Sequence, residues 1–372
     1  MSNFKKIRVL HIGLSPNHGG IESIVHSWWE NADKKIVHFD FLNVYHESIA
    51  FEKEFKEGGS LIYSIPARKE NPIVHNRELK RVIEEGNYDF LHCHVMSLSE
   101  PEPVMICINL KIKTKVIFHS HTVARLDNMP LMRKILHTYG GLRLRKYDYL
   151  KVACGQEAGK EMFHSSDFIV IENGINIDKF RFSEEKRKNF REKYGIAEKS
   201  KVIGHVGRLD KVKNYPFIIE TFSLVKKMNP DAILLLIGDI NHSEEINDLL
   251  IYYNVVESTV LTGKITSTEN CYSAMDVFMF PSIYEGISVS MIEAQASGLE
   301  CVVSENIAHE SAISDYVHFM PIDNAYAMAD KVNEYLMNEV DNRDKRKVDE
   351  NYNIEKSTQK LIKFYYDQKG GR

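Results

Sequence analysis

The feature that most constrains this chain is an alternation of two patterns. Short, almost uniformly apolar runs recur along it, separated by amphipathic stretches of about 10–15 residues. The runs are Ile7–Ile12, Phe39–Val44, Phe90–Cys93, Lys115–Phe118, Tyr149–Ala153 and Phe168–Ile171, then Lys201–Val206, Ala232–Ile237, Thr259–Leu261, Val277–Phe280 and Cys301–Val303. A run that is apolar at nearly every position suits a strand covered on both faces, as in parallel sheets flanked by helices. Segments with helical spacing lie between the runs, among them Ile73–Glu85, Pro216–Met228 and Ala325–Met337. The expected class is α/β, with parallel sheets and helices on both faces.

The 372 residues suit two domains of this alternation. The boundary is expected in the turn-rich stretch Asn173–Arg181, giving a first domain over 1–174 and a second over 175–353. A last helix over about 354–372, apolar at Ile354, Leu361, Ile362 and Tyr365, is expected to pack back on the first. No run of about 18 apolar residues occurs, which excludes a polytopic membrane protein. A net charge of −4 argues against a nucleic-acid partner. The five cysteines are widely spaced and form no Cys-x-x-Cys pair. They point to free buried thiols and a cytoplasmic location. The opening stretch MSNFKKIRVLHIG is too short in apolar residues for a secretion signal and reads as a first strand.

Four stretches carry residue types suited to chemistry. In Phe278–Glu293 (FMFPSIYEGISVSMIE) a strand runs into the loop Pro281–Gly286 and then into a helix that Ser288 is placed to cap. Backbone N–H groups over Gly286, Ile287, Ser288 and Val289 would form an anion site, with Glu285 and Glu293 beside it to hold hydroxyl groups. In Gly204–Asn214 (GHVGRLDKVKN), Arg208 and Lys213 follow a strand and suit a diphosphate. In Ser15–Glu22 (SPNHGGIE), Gly19 and Gly20 allow close backbone approach between the first strand and first helix. Two His-x-His pairs, His92/His94 and His119/His121, each face one way from a strand, while Cys93 faces the other. They read as ligand-contacting or as buried structural histidines, and no zinc-type spacing supports a metal. No dinucleotide fingerprint, P-loop, Gly-x-Ser-x-Gly elbow or Asp-x-Asp pair is present.

In this order, these stretches resemble the retaining GT-B glycosyltransferases of the large bacterial family that builds capsules, exopolysaccharides and lipopolysaccharides (family 4, "glycosyl transferases group 1"). PSIYEGISVSMIEAQASG is similar to its two-glutamate motif, GRLDKVKN to its donor-phosphate segment, ENGINIDKF to its interdomain segment and GGIE to its glycine loop. HCH and FHSH resemble its two histidine positions. LLLIGDI resembles its Gly-Asp-Gly strand end without the second glycine, and Asn176 stands in the usual Asp place.

The resemblance implies two facing Rossmann-like domains with an interdomain cleft, an acceptor-binding first domain and a donor-binding second. It implies a nucleoside-diphosphate sugar donor, UDP-hexose favoured, and no metal or other cofactor. Transfer would retain the anomeric configuration. Mapped by residue, Glu285 contacts sugar hydroxyls and Glu293 the ribose diol. Arg208 and Lys213 neutralise the diphosphate, and Gly19 and Gly20 let the first domain approach the donor. His119 or His121 lies beside the transferring sugar, and the two alternatives stay open. His92 and His94 are assigned to the acceptor, a saccharide or lipid-diphosphate-linked saccharide.

Lys111 to Lys146 holds nine basic residues against one acid, Asp127. Within it Leu131, Ile135, Tyr139 and Leu142 share a helical face flanked by Arg133, Lys134, Arg143, Arg145 and Lys146. That segment reads as a peripheral contact with an anionic membrane surface, at the inner face of the plasma membrane, or as a core helix with a solvated basic side. The competing functions are a nucleotide-sugar epimerase on the same scaffold, a non-catalytic nucleotide-sugar binder and a hydrolase using the four histidines to hold metal.

Overall fold

The computed structural model describes residues 6–121, 130–240, 243–265, 267–338 and 342–370. Contacts divide the chain into one unit of Met1–Gly174 with Asn353–Arg372, and a second of Ile175–Tyr352.

Among the described residues the first unit has strands β1 (Ile7–Ile12), β2 (Val37–Asn43), β3 (Ile62–Ser64), β4 (Phe90–Val95), β5 (Lys115–Ser120), β6 (Leu150–Ala153) and β7 (Ile169–Val170). They form one sheet in the order β3-β2-β1-β4-β5-β6-β7, and every pairing is parallel. The second unit has β8 (Lys201–Val206), β9 (Ala232–Ile237), β10 (Thr259–Leu261), β11 (Val277–Phe280), β12 (Glu300–Ser304) and β13 (Val317–Met320). Their order is β10-β9-β8-β11-β12-β13, again all parallel. In each sheet the winding reverses beside the first strand, between β1 and β4 and between β8 and β11. The carboxyl ends of those strands are where open α/β sheets bind ligands.

The apolar runs become these strands because both faces are covered. Val202, Ile203, Leu234, Leu235, Val277 and Phe278 are all fully buried. Two strands have no counterpart among the runs. β3 and β13 lie at sheet edges, and none of their residues is fully covered. An edge strand has cover to gain on fewer sides, so it needs less continuous apolar sequence.

Local signals set several helix starts. Asn71 accepts from the Val74 amide ahead of a helix opening on Pro72. Ser183, Ser243, Asn324 and Asn353 accept in the same way at the starts of Glu184–Lys193, Glu244–Tyr252, Ala325–Met337 and Ile354–Lys369. Asn176 caps the single turn Ile177–Phe180 within the turn-rich boundary stretch. All five cysteines are buried.

Candidate functional site

At the carboxyl edge of the second sheet, two loops are tied together. The loop after β8 passes through a short turn, Lys211–Lys213, whose start is held by the Asp210 carboxylate accepting from the Val212 amide. The loop after β11 donates from Ile283 N to Val212 O at 2.8 Å, and Asn214 Nδ2 donates to Pro281 O at 3.2 Å. These bonds bring Lys213 against Glu285, with Nζ 2.5 Å from Oε1. Lys213 also stands 4.5 Å above the Phe280 ring. Both side chains are largely but not wholly covered. Glu285 is held in place by its own backbone, whose carbonyl accepts from Ala308 N at 3.0 Å. Arg208, two residues beyond β8, is exposed and has no hydrogen bond or ion pair among the described residues.

Helix Val289–Ala296 follows directly. Ser288 occupies its N-cap position, but its side chain caps nothing: the hydroxyl pairs with Ser290 Oγ at 3.1 Å. The first-turn amides are thus not satisfied by that hydroxyl, which corrects the expected cap. Gly286 and Ile287 are buried, and the Gly286 carbonyl accepts from Ser311 Oγ. Glu293, a turn into the helix, accepts from the Tyr272 hydroxyl at 2.7 Å. Burial pushes its carboxyl up to about 7, against the lowering effect of that hydrogen bond.

Sequence reasoning did not single out the parts that support this edge. The Tyr272 carbonyl accepts from Arg343, whose buried guanidinium also reaches Met275 O, Ser297 O and Ser297 Oγ. Its partners are mostly backbone carbonyls, which leave no signature in sequence. His205 on β8 is also buried, with Nδ1 3.0 Å from Met279 O, and burial lowers it to about 3.

In the first unit the histidines converge. His11 on β1 joins His92, His94, His119 and His121, and all five are buried. Strand register explains the clustering: His11 pairs with His92 across β1–β4, and His94 with His119 across β4–β5. Cys93 faces the other way, into a core with Leu10, Leu91 and Phe118. Trp28 stacks over His119 with ring centroids 5.6 Å apart.

Two hydrogen-bonded chains run through the cluster. One links Tyr365 Oη, His92 Nδ1 (2.5 Å), His92 Nε2 and His119 Nδ1 (3.0 Å). The other links Asn173 Oδ1, His121 Nδ1 (2.9 Å), His121 Nε2, His94 Nδ1 (2.8 Å), His94 Nε2 and His11 Nδ1 (2.9 Å). Asn173 Oδ1 only accepts, so His121 carries its proton on Nδ1 and accepts at Nε2. The same logic puts protons on Nδ1 of His94 and His11. His11 Nε2 is left as a buried acceptor without a partner, and His119 Nε2 is also unpartnered. Burial holds all five rings well below the ordinary histidine range, His121 at about 4. Ring nitrogens of His92, His94 and His119 lie within 4.8 Å of one another, the one group among the described residues that could take a metal ion. Their nitrogens facing one another are already engaged in ring-to-ring hydrogen bonds.

The glycine loop is closed by a residue that the sequence did not flag. Glu22 accepts from Ser15 N at 2.9 Å and Ser15 Oγ at 2.7 Å, folding its carboxylate across the loop. Gly19 is the N-cap of helix Gly20–Asn31, and a Cβ there would sit 2.7 Å from Glu22 Oε2. Arg133, Lys134, Arg143, Arg145 and Lys146 belong to a different element, helix Leu131–Leu144 and the residues just after it.

Residues 186–355 match the family described as Glycosyl transferases group 1. The chain is 29% identical to EpsF of Bacillus subtilis (strain 168), a glycosyltransferase by name, over 83% of this chain and 82% of that one. It is 22% identical to the Escherichia coli UDP-Gal:alpha-D-GlcNAc-diphosphoundecaprenol alpha-1,3-galactosyltransferase, over 98% of both. Among solved structures, a glycosyltransferase from Rickettsia africae ESF-5 superposes with a TM-score of 0.78 at 18% identity, over 98% of this chain and 99% of that one. Anabaena HepE in complex with UDP and glucose gives 0.74 at 13% identity, over 97% and 98%.

Proposed function

We propose that this chain is a GT-B glycosyltransferase of the group 1 family and that it moves a hexose from a UDP-sugar to a saccharide or lipid-diphosphate-linked saccharide, with retention, in the building of a bacterial surface polysaccharide. The observation that carries the reading is the Lys213–Glu285 pair at the carboxyl edge of β8 and β11, beside the start of helix Val289–Ala296. UDP in HepE and the UDP-galactose of the Escherichia coli relative support the choice of base.

Glu285 neutralises Lys213 through their ion pair. An incoming diphosphate takes over the ammonium by charge-assisted hydrogen bonds, with Arg208 and the helix-start amides as further donors. The released Glu285 carboxylate then accepts from sugar hydroxyls, and Glu293 from the ribose diol. Negative charge grows on the diphosphate oxygen as its bond to the sugar C1 breaks, and fixed cations there lower the barrier. The acceptor oxygen bonds to C1 on the face that the diphosphate leaves, and the departing phosphate oxygen takes the acceptor's proton. No metal is assigned to this reaction.

Calorimetric titration with UDP, GDP and ADP in the presence of a chelator tests the donor site. UDP is expected to bind selectively, and Glu293→Ala to weaken it about tenfold, the loss of one hydrogen bond to a charged group. A wild-type protein that binds none of the three overturns the reading. Conversion of the donor sugar without any acceptor would replace it with the epimerase.

A further inference from the structure

Beside Lys213 lies a buried nitrogen that the transfer reaction leaves unused. His205, the last but one residue of β8, is fully buried. Its ring stacks with those of Phe278 and Phe280, centroids 6.3 Å and 5.5 Å away, and meets the Tyr215 ring edge-on at 5.3 Å. Those three neighbours hold the plane of the imidazole.

Hydrogen bonding fixes its tautomer. Nδ1 lies 3.0 Å from Met279 O, and a carbonyl only accepts, so the proton sits on Nδ1. Nε2 therefore carries a lone pair. It is buried and has no hydrogen-bond partner among the described residues. Burial lowers the ring to about 3, with a smaller push from the Lys213 charge, so at neutral pH it is an uncharged acceptor. A buried acceptor left without a donor is costly, and native structures seldom keep one without a use.

Gly207 shows where that lone pair opens. A Cβ built on Gly207 would stand 2.9 Å from His205 Nε2 and 3.3 Å from both Cγ and Cδ of Lys213. The room that the glycine leaves is bounded by the unpartnered nitrogen on one side and the lysine stem on the other. Lys213 Nζ in turn stands 4.5 Å above the Phe280 ring, the same ring that His205 stacks against. Other donors close by are committed: Gly207 N donates to Ile237 O, and Tyr215 Oη to Gly207 O. A diphosphate offers only acceptor oxygens at neutral pH, so it cannot satisfy Nε2 itself. The Lys213 ammonium can, because it has three N–H groups and Glu285 engages it at one oxygen.

We propose that His205 is a positioning residue for Lys213: its Nε2 accepts from the ammonium as Glu285 gives way to the diphosphate, so that the charge stays fixed at the leaving group. The proposal rests on the donor-site reading above and adds a residue which that reading does not contain.

Calorimetric titration of the full chain with UDP tests it through two replacements that divide the functions of the ring. His205→Asn keeps a donor for Met279 O and removes the acceptor. His205→Gln carries an amide oxygen to the Nε2 position and gives up the bond to Met279 O. The Asn variant is expected to bind UDP about tenfold more weakly, the loss of one hydrogen bond to a charged group, and the Gln variant to recover most of that loss. A ring that serves only to hold Met279 predicts the reverse order. In a Lys213→Met background the Asn step is expected to cost less than about twofold, because no ammonium is left to hold. Gly207→Ala sets a methyl group between Nε2 and the lysine stem. It too is expected to weaken UDP binding, and to do so only while Lys213 is present, which keeps the test decisive if His205→Asn does not fold. Urea unfolding shows which variants are folded. Folded His205→Asn or Gly207→Ala that binds UDP like wild type, or a loss undiminished in Lys213→Met, overturns the proposal and leaves the donor site standing. A wild type that binds no UDP, or Lys213→Met that binds it unweakened, overturns the donor reading and the proposal with it.

Discussion

The side chain with the most telling environment is Glu293. Its carboxyl is held at about 7 by burial on a helix near the proposed diphosphate position. A ribose diol is a donor, so binding through Glu293 requires the carboxylate. UDP affinity is therefore expected to rise about tenfold between pH 6 and pH 8, and the rise to vanish in Glu293→Gln; parallel calorimetric profiles for both proteins check this. Tyr272 steadies the same carboxylate, and Arg343 steadies Tyr272. Asn173 plays a comparable part in the first unit. Its carbonyl oxygen sets the tautomer of three histidines in succession, so a residue read only as part of a turn fixes the donor pattern inside a sheet edge.

At the scale of elements, the second unit's edge depends on how closely the loops after β8 and β9 approach. Gly238 closes β9 with φ +156°, and a Cβ there would sit 1.9 Å from Gly207 O. Gly207 O also accepts from Tyr215 Oη at 2.8 Å. Gly238→Ala is expected to destabilise the second unit by about 1–3 kcal/mol and to weaken UDP binding; urea unfolding and calorimetry measure the two effects. Such contacts show how far the sequence could be read. β1, β8, β9 and β11 are legible to the residue because each is mainly apolar and buried between layers, and the edge strand β10 because it keeps a short apolar run. β3 and β13 are not, because an edge strand needs no such run. The Glu285 and Lys213 loops are legible because their residue types follow strands at fixed intervals. His11, Glu22, Tyr272, Asn173 and Arg343 were not, because each acquires its role from a partner distant along the chain or from backbone atoms. The outward face of helix Leu131–Leu144 was half legible. Its periodicity is in the sequence, but only packing decides which way that face turns.

Over the whole molecule, the two units answer acid differently. Five neutral histidines are buried in the first, each below the 6.5 of an unfolded chain. As pH falls below 6.5 the unfolded state takes up protons that the folded one refuses. Each such ring removes up to about 1.4 kcal/mol of stability per pH unit, for His121 down to about 4. In the second unit His205 acts in this direction, while Glu293, raised to about 7, gains protons on folding and acts in the other between 7 and 4.5. Hydrogen exchange between pH 7 and pH 5 is expected to show amides of β1, β4 and β5 losing protection while those of β8 and β11 keep theirs. Equal loss in both would contradict it. The first unit also has a consequence for biosynthesis. Its helix Ile354–Lys369 supplies Tyr365 to His92 and Ser357 to Trp28, yet the ribosome makes that helix only after the entire second unit. A nascent chain carrying residues 1–174 waits with its histidine cluster uncovered, so the unit encoded first is the one completed last.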